Sequence, residues 1–387
     1  MAEWQTVRLG EIVKTNQSTY SPKENWQFVN YLDTGNITIN KIDEIQNINT
    51  AKDKLPSRAR RKVKTNSIIY STVRPNQLHY GIIKKQPDNF LVSTGFTVID
   101  VNYDKAVPDF IYYALTKQEV TEQLQAIAEQ SVSAYPSLKP SDIENLELML
   151  PDKKTQERIV AILRSIDEKI KENNAINNNL KQQAQAIYQQ MFIDNASSDW
   201  TEGTLSDIAD ITMGQSPSGS SYNEDGNGTI FFQGRAEFGF RFPTVRLYTT
   251  EPKRMACAND TLMSVRAPVG DLNVAHTDCC IGRGLAAIHS KNNHQSFVLY
   301  TMFFLKKQLD VFNGEGTVFG SINRNSLNEM PLLIPSSEKL DEFEALVAPM
   351  DAAIRNNYDE ICRLEQLRDS LLPKLMSGEL DVSDIEI

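Results

Sequence analysis

Side chains that can read DNA bases lie together in Arg74-Pro75-Asn76-Gln77, directly after the β-branched run 67–73. Arginine pairs through two hydrogen bonds with guanine, and asparagine or glutamine pairs in the same way with adenine, in the major groove of DNA. Because β-branched runs form strands, the stretch predicts a recognition loop at a strand end, with His79 and Tyr80 following it. The alternative is that Arg74 only holds a structural turn.

A strongly basic run precedes this loop. Its members are Lys52, Lys54, Arg58, Arg60, Arg61, Lys62 and Lys64, and only Asp53 opposes them. A run of this density can neutralise DNA phosphates, although a solvated surface loop has the same composition. The candidate DNA-binding residues of the first half are Arg58, Arg60, Arg61, Lys62, Arg74, Asn76, Gln77, His79 and Tyr80.

The second half of the chain repeats this arrangement with other side chains. Its Ser264-Val265-Arg266-Ala267-Pro268 corresponds to Ser71-Thr72-Val73-Arg74-Pro75, and glycines flank its polar stretches. Glycine permits close approach of a ligand to the backbone. Different polar residues on a shared framework suit the reading of two different sequences. The candidates here are Gln215, Ser216, Ser218, Gln233, Arg235, Arg254, Arg266 and Arg283.

The motifs of common enzymes are missing from the sequence. Gly-x-x-x-x-Gly-Lys-Ser/Thr, Gly-x-Ser-x-Gly and Asn- or Asp-Pro-Pro-Tyr/Phe do not occur, and the glycine-rich segment 314–320 lacks the lysine of a phosphate-binding loop. His289 and His294 are not spaced as metal ligands on one helical face. We therefore predict no catalytic residue, no metal ligand and no cofactor in this chain, and we interpret segment 314–320 as a plain loop.

The two halves open and close alike, which predicts two related domains. The matching openings are Trp4, Leu9 and Ile12 in the first half and Trp200, Leu205 and Ile208 in the second. Each half then mixes short strands with one predicted amphipathic helix, at Phe110–Glu129 and at Gln295–Phe312, and ends in Leu-x-x-Pro before a long helix. We predict globular domains at 1–150 and 199–335, and helices at 151–198 and 336–387.

Both long helices carry apolar residues at steps of four and three, which is typical of a coiled coil. The seam is predicted at Ile159, Leu163, Ile166, Ile170, Asn173, Leu180 and Ile187 in the first helix, and at Phe343, Val347, Met350, Ile354, Asn357, Ile361, Leu364 and Leu371 in the second. Asn173 and Asn357 hold the same slot, where a polar residue fixes register at a cost in stability. The alternative is that each helix packs only on its own domain.

A pseudo-twofold relation between the halves makes the helix pair antiparallel and brings Gly378 close to Trp4, in a nearly circular layout. The seam from Ile159 to Met191 covers 32 residue steps (191 − 159), roughly 48 Å at about 1.5 Å per residue. That length matches about 14 base pairs of DNA at about 3.4 Å each. The expected fold class is α+β: two similar mixed domains separated by an antiparallel coiled coil.

Composition sets further bounds. The net charge is −10, and residues 336–387 hold most of it, with 5 basic against 13 acidic side chains. The domains are close to neutral and can still present a basic face to DNA. No apolar run is long enough to span a membrane. The four cysteines have no metal-binding spacing, so a reducing cytoplasm is the expected compartment.

The chain resembles the specificity subunit of type I restriction–modification systems over essentially its whole length. The resemblance rests on the duplicated openings, on 73–77, 93–96, 156–163, 214–217, 264–270 and 281–285, and on the closing segment 367–380. Where the family opens its second helix with Glu-Gln, this chain has Ser336-Ser337-Glu338-Lys339, so that the helix start is less well defined.

The resemblance implies two domains that each read half of a split site in double-stranded DNA. It also implies two docked methyltransferase subunits and, where one exists, a restriction subunit. S-adenosylmethionine, and ATP with Mg²⁺, would bind to those partners, and the product would be N6-methyladenine or cleaved unmodified DNA. A coiled-coil scaffold without DNA specificity is the rival hypothesis, but it does not explain the polar loops repeated in both halves. An enzyme acting alone lacks the necessary motifs.

Overall fold

The computed structural model describes residues 4–131, 135–314 and 320–385. The chain divides into two compact units: unit 1 comprises Met1–Lys171 and Ile361–Ile387, and unit 2 comprises Glu172–Glu360. Each long helix contributes one part to each unit. Residues 315–319 of the predicted loop 314–320 lie outside the described residues. No helix within the described ranges is long and apolar enough to cross a membrane.

Unit 1 is built from strands β1–β12 and helices α1–α3, together with the first part of α4 and the last part of helix α9 (Ser337–Ser377). The strands are β1 Gln5–Arg8, β2 Val13–Thr15, β3 Phe28–Leu32, β4 Ile37–Thr38, β5 Lys41–Ile42, β6 Gln46–Asn49, β7 Ala59–Lys62, β8 Ile68–Ser71, β9 Tyr80–Ile82, β10 Phe90–Ser93, β11 Phe96–Val101 and β12 Glu147–Leu150. The helices are α1 Pro108–Leu115, α2 Gln118–Glu129, α3 Pro140–Glu144 and α4 Lys153–Tyr188.

Two four-stranded sheets form the core of unit 1, in the orders β2-β11-β8-β9 and β6-β3-β10-β7. Strand β8 is buried on both faces, which explains its nearly continuous apolar sequence. Ile68 and Tyr70 point to the cluster that contains α1, whereas Ile69 joins Leu32 and Val92 in a second cluster between the sheets. The alternation of successive side chains in a strand produces this division.

Unit 2 repeats this construction. Its strands are β13 Thr201–Thr204, β14 Ala209–Met213, β15 Tyr222–Asn223, β16 Thr229–Phe232, β17 Leu247–Thr249, β18 Met255–Ala256, β19 Thr261–Ser264, β20 Leu272–Val274, β21 Cys279–Ile281, β22 Leu285–Ser290 and β23 Pro331–Ile334. Its helices are α5 Leu205–Ile208, α6 Gln295–Phe304, α7 Lys306–Leu309 and α8 Arg324–Asn328, and α9 spans Ser337–Ser377. The sheet orders are β14-β22-β19-β20 and β15-β17-β16-β21-β18.

The sequence predicts one helix over each amphipathic segment, but in the structure each segment is broken into shorter helices. In unit 1, α1 ends at Leu115 and α2 begins at Gln118. In unit 2, α6 ends at Phe304, a short α7 follows, and a 3₁₀ turn closes the segment at Asn313. α1 is buried at every position and α2 on one face, so that hydrophobicity alone does not mark where one helix ends and the next begins.

The long helices pair antiparallel within each unit, as the sequence predicts. In unit 1 the start of α4 packs with the end of α9, for example Ile159 and Leu163 in one cluster with Leu375. In unit 2 the end of α4 packs with the start of α9, for example Tyr188 with Phe343. The fold class is therefore the expected one: two similar α+β domains with paired long helices.

The predicted seam residues are all buried or partly buried in the structure. Those that are buried are Ile159, Leu163, Ile166, Asn173, Phe343, Val347, Ile354 and Ile361. Those that are partly buried are Ile170, Leu180, Ile187, Met350, Asn357, Leu364 and Leu371.

Polar residues in the unit 2 seam are matched to one another. The Asn357 side-chain amide donates to Asn177 Oδ1 at 2.9 Å, and that of Asn173 donates to Glu360 Oε2 at 2.8 Å. Asn173 and Asn177 are both nearly inaccessible to solvent. Buried amides need hydrogen-bond partners. These two bonds therefore favour the observed register of the helix pair over registers in which one helix is shifted along the other.

A tyrosine, an aspartate and an arginine join the globular part of each unit to a long helix. In unit 1 the Tyr113 hydroxyl donates to Asp167 at 2.7 Å, and Arg368 lies 3.2 Å from the same carboxylate. In unit 2 the Tyr300 hydroxyl donates to Asp351 at 2.9 Å, and Arg241 lies 3.2 Å from that carboxylate. Burial raises the pKa of Asp351, against the lowering effect of Arg241.

The C-terminal end of α9 returns to the first residues of the chain within unit 1, which confirms the predicted proximity of Gly378 and Trp4. Gly378 has φ +76°, and a Cβ placed on it would lie 2.8 Å from Cε2 of the Trp4 indole. Trp4 in turn packs on the main core of unit 1, as do Leu371 and Leu372 of α9.

Gly378→Ala is expected to destabilise unit 1 by about 1–3 kcal/mol, because alanine is strained at positive φ and its methyl group would overlap the indole. Thermal or chaotrope unfolding followed by tryptophan fluorescence measures the change. Gly219→Ala is the matched control, since a Cβ there meets nothing within 4 Å. Equal stability of the two variants would contradict this account of the chain ends.

Asn357→Leu is expected to lower the free energy of unfolding by about 1–3 kcal/mol, because it leaves the Asn177 amide buried without its partner. The double variant Asn177→Leu/Asn357→Leu is expected to regain most of that loss, since removal of both polar partners is nearly neutral. Denaturant titration of the three proteins tests this, and strictly additive losses would argue against the pairing.

Candidate nucleic-acid interface

Three loops meet at the same place in each unit. In unit 1 they follow β3, β8 and β10, and in unit 2 they follow β16, β19 and β21. β3 pairs parallel with β10, and β16 pairs parallel with β21, so that these strand ends share one edge. The same backbone bond ties the loops in both units: Thr72 N donates to Gly95 O at 2.8 Å, and Val265 N donates to Gly284 O at 2.9 Å.

Glycine allows the first and third loops to touch. A Cβ on Gly95 would lie 2.8 Å from the Thr34 side chain, and a Cβ on Gly284 would lie 3.2 Å from Cα of Gly234. The loops are therefore joined through backbone and small side chains. Their remaining side chains are free to differ between the units.

Arg74 and Arg266, the arginines of the two Val-Arg signatures, are not equivalent in the structure. Val73 bridges to Ser137, and Arg266 bridges to Ser321 in the same way. Arg74 N accordingly donates to Pro136 O, whereas Ala267 N donates to Gly320 O. Arg266 therefore occupies the place of Val73, and the shared Val-Arg pair is displaced by one residue between the units.

In unit 1, Arg74 is exposed and held from one side. Its backbone is left-handed, with φ +47°, and its guanidinium lies 5.4 Å from the centroid of the Tyr135 ring. Tyr135 is itself 60% exposed, so the pair projects from the surface. Asn76 and Gln77 are exposed on the 3₁₀ turn that follows Arg74.

Tyr80 does not belong to this surface, and its prediction as a DNA contact is corrected. Its side chain is 5% exposed and stacks on Tyr70, with ring centroids 5.5 Å apart. Because Tyr80 is the first residue of β9, its ring alternates into the core. His79, just before it, is half-buried, and its Nδ1 lies 2.6 Å from Ile37 O.

The basic run is partly ordered and not simply a solvated loop. Arg60, Arg61 and Lys62 lie on the edge strand β7 and are half-buried. Lys62 pairs with Glu24 and lies over the Trp26 ring. Arg58 is exposed and precedes β7, at the side of the three-loop site, where Thr94 N donates to its carbonyl oxygen.

Sequence reasoning missed Asp33 and Thr94 in the unit 1 site. The Tyr31 hydroxyl donates to Asp33 Oδ1 at 2.9 Å. Burial raises the pKa of Asp33, but hydrogen bonds from the Thr34 amide and from Tyr31 outweigh it and hold the pKa below its usual value. Alignment of Asp33-Thr34-Gly35 with Gln233-Gly234-Arg235, which follows from the equivalent strands β3 and β16, is the signal that finds Asp33.

In unit 2 the three loops surround a cleft of about 240 Å³. Its polar side chains are Ser216, Gln233, Arg235, Ser264, Arg266 and Arg283, with Gly234 and Gly284 in the wall. Arg235 forms an ion pair with Asp271, Nε to Oδ2, at 2.9 Å. The guanidinium groups of Arg266 and Arg283 have no ion pair or hydrogen bond within the described part of the chain.

The remaining unit 2 candidates lie outside the cleft. Gln215 and Arg254 are exposed, and their backbones bond to Ile281, at the end of β21. Ser218 is exposed and bonds to Ser220. The structure thus gathers Ser216, Gln233, Arg235, Arg266 and Arg283 into one site and leaves these three at its margin.

Comparison with known proteins identifies the family. The sequence profile of the type I restriction modification DNA specificity domain matches residues 1–182 and again 197–355. The chain belongs to the type I restriction–modification specificity family. Each match of the specificity domain contains one of the two three-loop sites.

Relatives of the specificity family cover nearly the whole chain. The type I restriction enzyme HindI specificity subunit of Haemophilus influenzae is 25% identical, over 98% of this chain and all of its own. The HsdS subunit of Thermoanaerobacter tengcongensis is 30% identical over 97% of both chains, with a TM-score of 0.42. The type I S subunit from M. genitalium shares the fold, with 16% identity, a TM-score of 0.61 and coverage of 97% and 96%.

The described residues contain no cluster of side chains of the kind that binds a metal ion. Across residues 4–131, 135–314 and 320–385, no cluster of three or more His, Cys, Asp or Glu side chains could hold a metal ion. The three histidines that pair with aspartate, His276, His289 and His294, each have a single carboxylate partner.

Tyr135→Ala is expected to weaken specific DNA binding about two- to fivefold, because an exposed cation–π pair contributes about 0.5–1 kcal/mol to holding Arg74. The free energy of unfolding should change by less than about 0.5 kcal/mol, as for other exposed positions. Fluorescence anisotropy of the assembled complex with its DNA site measures the first effect. Tyr103→Ala, at another exposed tyrosine of unit 1, is the control, and an equal effect of both variants would contradict the assignment.

Proposed function

We propose that this specificity subunit reads a split DNA site, with the three-loop site of unit 1 on one half and that of unit 2 on the other. The observation that carries the proposal is the pair of equivalent sites. The bonds Thr72 N to Gly95 O and Val265 N to Gly284 O fix the same framework, yet the framework holds Asp33, Thr94 and Arg74 in unit 1 and three arginines in unit 2. Base readout depends on such differences in donors and acceptors.

The phosphate contacts are supplied by neighbouring basic residues. Arg58 and the edge strand β7 adjoin the unit 1 site, and Arg254 lies at the margin of the unit 2 site. Contacts to phosphate position a protein on DNA, whereas contacts to bases specify the sequence. This division assigns the basic run to affinity and the loops to specificity.

The chemistry belongs to partner subunits in this proposal. Two methyltransferase subunits would bind S-adenosylmethionine and methylate a flipped adenine at N6, and a restriction subunit, where present, would use ATP and Mg²⁺. The chain itself would be non-catalytic and act in the cytoplasm. The missing catalytic motifs and membership of the specificity family support this assignment.

Exchange of one globular domain tests the proposal. Replacement of Thr201–Ile334, from β13 to β23, by the equivalent part of another specificity subunit is expected to change one half of the methylated sequence and to leave the other half intact. The physical reason is that all three unit 2 loops lie within this segment. Methylation-sensitive long-read sequencing of the host genome gives the result.

The reciprocal exchange of residues 5–150 is the matched control, and it should change only the other half. A scaffold without DNA specificity predicts that the methylated sequence stays the same after either exchange. That result would refute the proposed function.

A further inference from the structure

Arg235 differs from the other arginines of the unit 2 cleft because a carboxylate holds it. Its Nε lies 2.9 Å from Asp271 Oδ2, and the other oxygen of Asp271 lies 3.2 Å from Nζ of Lys306. Asp271 is also fixed through its backbone, because its N–H donates to Ser264 Oγ at 2.9 Å. The carboxylate is therefore anchored, and it restrains the plane of the Arg235 guanidinium.

The outer edge of the Arg235 guanidinium is left open. Within residues 4–131, 135–314 and 320–385, neither Nη1 nor Nη2 of Arg235 has an ion pair or hydrogen bond, and the side chain is about half exposed. Two parallel N–H donors on a rigid plane match the O6 and N7 acceptors of guanine in the major groove. A group restrained beforehand also loses less conformational freedom on binding.

A phosphate is a poorer ligand for this arginine. The adjacent Asp271 carboxylate weakens the attraction of Arg235 for any anion, whereas directed hydrogen bonds to a neutral base remain. Arg266 and Arg283 line the same cleft without a carboxylate partner in the described residues, so no ion pair fixes their orientation. The cleft thus combines one arginine that an ion pair orients, Arg235, with two arginines that have no ion pair within the described residues, Arg266 and Arg283.

We propose that Arg235 reads a guanine in the half-site bound by unit 2, and that Asp271 is the positioning residue that orients it. The proposal rests on the proposed function and adds to it the base that is read and the side chain that reads it. Unit 1 has Gly35 at the equivalent position, so the same contact is not expected in the other half-site.

Arg235→Ala in the methyltransferase complex is expected to lower the preference for guanine at one position of the unit 2 half-site by roughly five- to 150-fold, the discrimination typical of a bidentate contact. Discrimination at all other positions should persist. Asp271→Asn should lose part of this preference, and Arg235→Lys should not restore it. Arg324→Ala is the matched control, because Arg324 is an exposed arginine of unit 2 that lies on α8, outside the cleft.

Base analogues distinguish a base contact from a phosphate contact or a folding defect. At the assigned guanine, 7-deazaguanine removes N7 and should weaken binding of the wild-type complex but not of Arg235→Ala. Inosine keeps O6 and N7 and should bind the wild-type complex as guanine does. Melting temperatures of the variants show whether unit 2 remains folded.

Three results would overturn the proposal: a unit 2 half-site without guanine, equal sensitivity of wild type and Arg235→Ala to 7-deazaguanine, or an equal loss of binding to all sequences with a reduced salt dependence. The last result would make Arg235 a phosphate ligand. Each result leaves the domain exchange unaffected, so failure of this inference is distinguishable from failure of the proposed function.

Discussion

One partly buried carboxylate in each unit constrains how the globular domain meets a long helix. Asp167 in unit 1 and Asp351 in unit 2 each accept a tyrosine hydroxyl and face an arginine. A carboxylate removed from water is costly unless charge and hydrogen bonds compensate it. The compensating groups come from different elements, so the carboxylate is stable only when those elements are correctly placed.

The arginine that compensates the charge of this carboxylate comes from a different part of the chain in each unit. In unit 1 the arginine is Arg368, from the other long helix, whereas in unit 2 it is Arg241, from the segment between β16 and β17. Arg241 is almost fully buried and also donates to the Tyr300 hydroxyl at 3.1 Å. In unit 2 the arginine therefore connects the globular domain to a long helix. In unit 1 the arginine connects the two long helices, and Tyr113 connects the globular domain to the same carboxylate.

The sequence was sufficient to predict what depends on periodicity and repetition: the duplication, the long helices and their antiparallel pairing, and the return of Gly378 to Trp4. It could not predict which polar residues meet. Asn173 and Asn357 hold the same slot, yet in an antiparallel pair equal slots do not face each other, and Asn357 bonds to Asn177 instead. The inward direction of Tyr80 likewise depends on where a strand begins, which local patterns locate poorly. Asp33 and Thr94 were missed because single polar residues in short loops carry no periodic signal.

The backbone bonds that join the three loops have an evolutionary consequence. Because Thr72 to Gly95 and Val265 to Gly284 involve only main-chain atoms, the exposed side chains beside them can mutate without breaking the junction. New sequence specificities can therefore arise by substitution of these side chains while the backbone junction stays the same. The intermediate variants along such a path remain folded.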